Sequence, residues 1–80
     1  MNDSNHDLLR QRASNNLKKW GRQELTILCV AATEEIGEMA QAIMQSIYEG
    51  GDPKRIFDEA IDLGALCLQV MEHHNGDHIA

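Results

Sequence analysis

The chain has 80 residues, 42% of them apolar but only 4% aromatic, and a formal net charge of −6. A chain of this length forms one domain, 1–80, burying only about 60–65% of the surface it exposes when unfolded, so self-association is expected. The acidic balance, with no basic run longer than Lys18-Lys19 and no aromatic–basic interleaving, argues against a nucleic-acid partner, and no stretch approaches the ~18–20 apolar residues of a membrane span.

A single proline, Pro53, and little β-branched alternation favour an all-α fold. The first six residues are polar and lack the charged-then-apolar pattern of a secretory leader, so the expected location is cytoplasmic. They read as a frayed arm, with Asp3 or Ser4 capping a first helix over about Asp7 to Trp20. Its stripe, Leu8, Leu9, Ala13, Leu17 and Trp20, is narrow, and Gly21 stops it. The second helix is expected from Arg22 or Glu24 to Tyr48 or Glu49, with a stripe of Leu25, Leu28, Ala32, Ile36, Met39, Ile43 and Ile47. Ile27, Val30, Ala40 and Met44 widen that stripe beyond the reach of one partner helix, which points to a second contact surface and hence a homodimer.

Gly50-Gly51 ends the second helix, and Asp52-Pro53 opens the third, with Asp52 as N-cap. So short a connection makes helices two and three antiparallel. The third helix carries Ile56, Ala60, Leu63, Cys67 and Val70 to about His73 or His74, with Gly76 as its stop and 76–80 frayed. Cys29 and Cys67 fall within apolar helical patterns and not at ligand spacing, so both are expected to be buried, reduced thiols. His73, His74 and His78 form a solvated cluster near the helix C-terminus. None of them stands three residues after a glutamate, as a di-iron carboxylate bundle requires.

The stretch with most chemistry is Glu34-Glu35-Ile36-Gly37-Glu38, echoed by Asp58-Glu59-Ala60-Ile61-Asp62. Acids three apart point within roughly 60° of each other on a helix, so Glu35 with Glu38, and Glu59 with Asp62, can each grip one ion. Apolar residues flank both pairs at helical spacing, and unpaired carboxylates are seldom placed there unless they bind a cation. Counted from the turn, the two pairs lie at heights that differ by about one helical turn, so four carboxylates can meet in one shallow acidic site. Gly37 costs ~1 kcal/mol against alanine in a helix interior, which implies a packing or site requirement.

The pattern Glu35-Ile36-Gly37-Glu38, a spacer and Glu59-Ala60-Ile61-Asp62, over residues of about 22 to 72, resembles the MazG-like nucleotide pyrophosphohydrolases of the all-α NTP pyrophosphatase superfamily. The resemblance implies a helical hairpin plus an N-terminal helix, oligomerising as a homodimer or homotetramer into a four-helix-type bundle. It implies hydrolysis of an ordinary or non-standard nucleoside triphosphate to the monophosphate and pyrophosphate, in cleansing or regulating the nucleotide pool. Mg²⁺, or Mn²⁺ in its place, would be held by Glu35, Glu38, Glu59 and Asp62, and one of the first pair, or Glu34, would orient the attacking water. Hard oxygen ligands of this kind suit Mg²⁺ independently.

Many members place Lys, Asn and Arg contacts to phosphate on a later helix, for which there is little room here. Lys54 and Arg55, at the third helix N-terminus, are candidates for that role, against an ordinary solvated place in the first turn, and Lys18 and Lys19 stand in the same position. Trp20 is a candidate platform for the nucleobase, against a packing role at the core or a subunit interface. The reading from another class is a non-catalytic helical oligomerisation or interaction module that keeps the fold.

Overall fold

A computed structural model of the chain describes residues 3–74, and these form three helices with no strand among them. They are α1, Asp3–Trp20; α2, Leu25–Tyr48; and α3, Lys54–His74. The all-α expectation holds. Helix α1 starts four residues earlier than its sparse apolar pattern suggests, so Ser4 lies inside it, while Gly76 and His78 lie outside the described residues.

The connections follow their turn chemistry. Gly21 and Gly50 both adopt φ of 72°, a left-handed conformation that glycine enters without a Cβ penalty. The Gly21 N–H donates to the Leu17 carbonyl at 2.8 Å, and the Glu49 and Gly51 N–H groups both donate to the Gln45 carbonyl at 2.9 Å. A Cβ on Gly51 would stand 3.2 Å from Gln45, so this turn has little room for a side chain. Asp52 caps α3 as expected, its Oδ1 accepting from the Lys54 N–H at 3.0 Å. Glu24 precedes α2 in extended conformation without a side-chain cap, so Arg22 belongs to the connection and not to the helix.

Helix α3 packs on both of the others, and α1 and α2 do not pack on each other. The turn at 49–53 makes α2 and α3 an antiparallel hairpin, tied near that turn by Arg55, whose guanidinium donates to Gln45 and Gln41. Along α1 and α3, Leu9 meets Gly64 and Asn16 meets Gln69, so these two helices run in the same direction. Small residues allow the approach: Ala13 and Ala65 are both fully buried. The remaining core is Leu28, Ala42, Ile61 and Leu66, with the buried Gln69 accepting at 3.0 Å from Asn16.

Two stripes differ from those read off the sequence. On α2 the packed face runs through Leu28, Ala31, Ala32, Glu35, Met39 and Ala42, leaving Leu25, Ile36 and Ile47 exposed. On α3 it is Ile61, Ala65, Leu66 and Gln69, while Ala60, Cys67 and Val70 are exposed. A central helix touching neighbours on two sides has no single 3-4 stripe. On α2 there is more apolar surface than α3 covers, so close packing selects the arc rich in small residues. Cys29 and Cys67 are free, as expected, but both are exposed, which corrects their expected burial and follows from the same rotations.

Candidate metal centre and cleft

Glu35 lies on the packed face of α2 and Glu59 on the side of α3 toward it; both are half-buried, and Glu38 is exposed one turn along. Carboxylate oxygens of Glu35, Glu38 and Glu59 lie within 4.8 Å of one another. Oε2 of Glu35 and Oε2 of Glu59 are each shielded from solvent with no hydrogen-bond partner. Two facing carboxylate oxygens are both acceptors, so they remain unsatisfied until a proton or a cation lies between them.

The electrostatics reflect this. The Glu35 carboxyl is raised from 4.5 to about 7, first by burial and then by Glu59 and Glu38. Glu38 is raised chiefly by the neighbouring Glu59 carboxylate. A hard divalent cation would relieve both the orphaned oxygens and the repulsion, and three clustered carboxylates are the donor set such an ion takes. The residues present fit the expected group.

Asp62, the fourth expected ligand, stands apart from this trio. Its Oδ1 accepts from Nη1 of Arg12 on α1, in an ion pair with Arg12 42% and Asp62 33% exposed. Lys54, expected at the phosphate, bonds Asp58 at 3.2 Å on the exposed first turn of α3. Arg55 is taken by the two glutamines of α2, and Lys19 lies over the Trp20 ring at 5.0 Å from its centroid.

Since α1 and α2 diverge over α3, an open cleft of about 370 Å³ forms beside the carboxylates, lined by Asn16, Trp20, Gln23, Ala31, Glu35, Asp62 and Leu66. Trp20 is 61% exposed, so its ring offers a face to the cleft. His73 fixes this end: its Nε2–H donates to the Gln23 carbonyl at 2.8 Å, and its Nδ1 accepts from Arg22 at 3.1 Å. Together these define the neutral tautomer with its proton on Nε2. That corrects the solvated reading for His73, whereas His74 is exposed. Asn16, Gln23 and Arg12 had no sequence signal toward the site, because their partners lie about 50 residues away.

A comparison with known protein families, with curated proteins and with solved structures finds no match to this chain.

Glu35 gives a pH-dependent prediction. A carboxyl whose folded pKa is raised stabilises the fold below about pH 4.5, and that contribution is lost as pH rises through about 7. In cation-free buffer, Glu35→Gln should match the native protein below pH 4.5 and exceed it at pH 8. Discounted for solvent screening, the gain is about 1 kcal/mol, or ~4–8 °C in Tm. Thermal unfolding monitored by circular dichroism at the two pH values checks it.

Proposed function

We infer that the chain is a divalent-cation-dependent nucleoside triphosphate pyrophosphohydrolase of the MazG-like kind. The observation that carries this reading is the convergence of Glu35, Glu38 and Glu59, two of them with orphaned, shielded oxygens, at the mouth of a cleft with an exposed tryptophan. In this reading Glu35, Glu38 and Glu59 hold Mg²⁺ or Mn²⁺, and Asp62, one turn beyond Glu59, completes the set. The ion supplies charge neutralisation at the phosphates and a more acidic water.

The chain's own residues then have defined tasks. One of the first acid pair, Glu35 or Glu38, or Glu34 beside them, would orient the attacking water and take its proton. The water oxygen bonds to phosphorus, the bond between the α- and β-phosphates breaks, and pyrophosphate leaves with the bridging oxygen. Trp20 stacks on the base, with Asn16 and Gln23 at its edges. In this reading an intracellular nucleotide pool is the matching substrate source.

Assembly into a homodimer or homotetramer belongs to the same reading. Leu25, Cys29, Thr33, Ile36, Ala40, Met44 and Ile47 are all exposed. They fall on one arc of about 100° of α2 at the α-helical period. No charge interrupts that arc, and Ile36, Met44 and Ile47 are 52%, 53% and 64% exposed. Such a face marks an interaction surface. Gly37 borders it with nothing within 4 Å of a would-be Cβ, so no contact inside the chain explains the glycine, whereas close approach of a second helix does. The same face also supports the second reading, a non-catalytic oligomerisation module.

Pyrophosphate release from a panel of ordinary and modified nucleoside triphosphates, with Mg²⁺ and with chelator, separates the two. Metal-dependent release with monophosphate as co-product is the expected result, falling at least ~100-fold in Glu38→Ala and in Asp62→Ala at unchanged helicity. Absence of release from every substrate by a folded oligomer would favour the module. For the interface, Ile36→Glu should shift sedimentation to monomer, weakening self-association by about 2 kcal/mol or more while α-helical content is kept.

A further inference from the structure

All seven basic side chains of the chain fall among the described residues, and five besides Arg12 have partners of their own. Arg10 pairs with Asp7, Arg22 bonds His73, Lys54 pairs with Asp58, Arg55 bonds Gln45 and Gln41, and Lys19 covers Trp20. Arg12 differs, because its guanidinium reaches across from α1 to α3 and binds an acid that itself lines the cleft. That acid, Asp62, is one turn from Glu59 and is the member of the two acid pairs missing from the carboxylate trio.

We propose that Arg12 is the phosphate-binding cation of the cleft and that its ion pair with Asp62 is a latch exchanged on ligand binding. The inference rests on the pyrophosphohydrolase reading above. Asp62 has one carboxylate to share. While it pairs with Arg12 the trio lacks its fourth acid, and once it turns to a cation on Glu35, Glu38 and Glu59 the guanidinium is left without its partner. A guanidinium matches phosphate oxygens in two-pronged geometry as well as it matches a carboxylate, and the polyanion that enters with the cation is the next acceptor within the cleft. Arg12 and Asp62 are both partly open to solvent, so the pair is weak enough to be exchanged and costs little when broken. The device also supplies, from α1, the cationic contact that Lys54 and Arg55 do not bring to the cleft.

The proposal makes two predictions of opposite sign for one substitution. With Mn²⁺ alone, titrated calorimetrically into nucleotide-free protein, Arg12→Gln should bind about threefold more tightly than the native protein, because Asp62 is released to the ion. With Mn²⁺ saturating and inorganic pyrophosphate as the titrant, the same variant should bind about tenfold more weakly. Arg12→Lys, which keeps the charge and loses the fork, should fall between in the second titration, and it serves as the test if Arg12→Gln does not fold. An Arg12 that only anchors α1 would lower both affinities or change neither, and either result overturns the proposal. Absence of Mn²⁺ binding by the native protein would instead overturn the pyrophosphohydrolase reading, and this inference with it. Native-like Mn²⁺ binding with an unaltered Arg12 variant overturns the latch alone.

Discussion

The double-sided packing of α3 sets everything else in this structure. One helix of 21 residues supports α1 on one side and α2 on the other, and the two outer helices never close on each other. Small side chains permit this geometry: Ala13 on α1 and Ala65 on α3 are fully buried, and so nearly is Ala42 on α2. The packing leaves a cleft on one side and a broad uncharged face on α2. Both follow from α1 and α2 packing on α3 and not on each other.

Into that frame the chain places a local conflict. Glu35 occupies a position on α2 where periodicity would seat an apolar residue, and Glu59 meets it from α3 with another carboxylate. Burial first, and then the neighbouring Glu59 and Glu38 carboxylates, raise the Glu35 carboxyl to about 7, and the two shielded oxygens have no donor. Perturbed carboxyls of this kind are enriched at functional sites, and structural ion-pair networks produce them too. Asp62, which stands apart from the trio of Glu35, Glu38 and Glu59, is paired with Arg12. Arg22, Gln23 and His73 brace the far end, so the cleft wall near Trp20 is tied to the end of α3.

Much of this was legible in the residues. Gly50-Gly51-Asp52-Pro53 specified the hairpin turn, because left-handed backbone, a side-chain cap and a fixed φ each demand one of those residue types. The meeting of Glu35, Glu38 and Glu59 followed from counting turns of helix on either side of it. What could not be read was rotation about the helix axes. Ile36 and Ala32 are equally apolar in a pattern, but only tertiary packing decides that Ala32 faces α3 and Ile36 faces out. The partner of Asp62 was hidden for a related reason: α1 is short of apolar residues, so its docking depends on Ala13, Leu9 on Gly64 and polar pairs that no spacing rule anticipates.

In the proposed function the clustered carboxylates are a repulsive centre that a cation relieves. The most direct test is the melting temperature of the native protein from pH 4.5 to pH 8, with Mg²⁺ and with chelator. The two curves should converge toward the acid end, where Glu35 holds its proton, and separate progressively as pH rises through about 7, with the Mg²⁺ curve higher. Curves that coincide at every pH, or a Mg²⁺ effect of constant size down to pH 4.5, would contradict it.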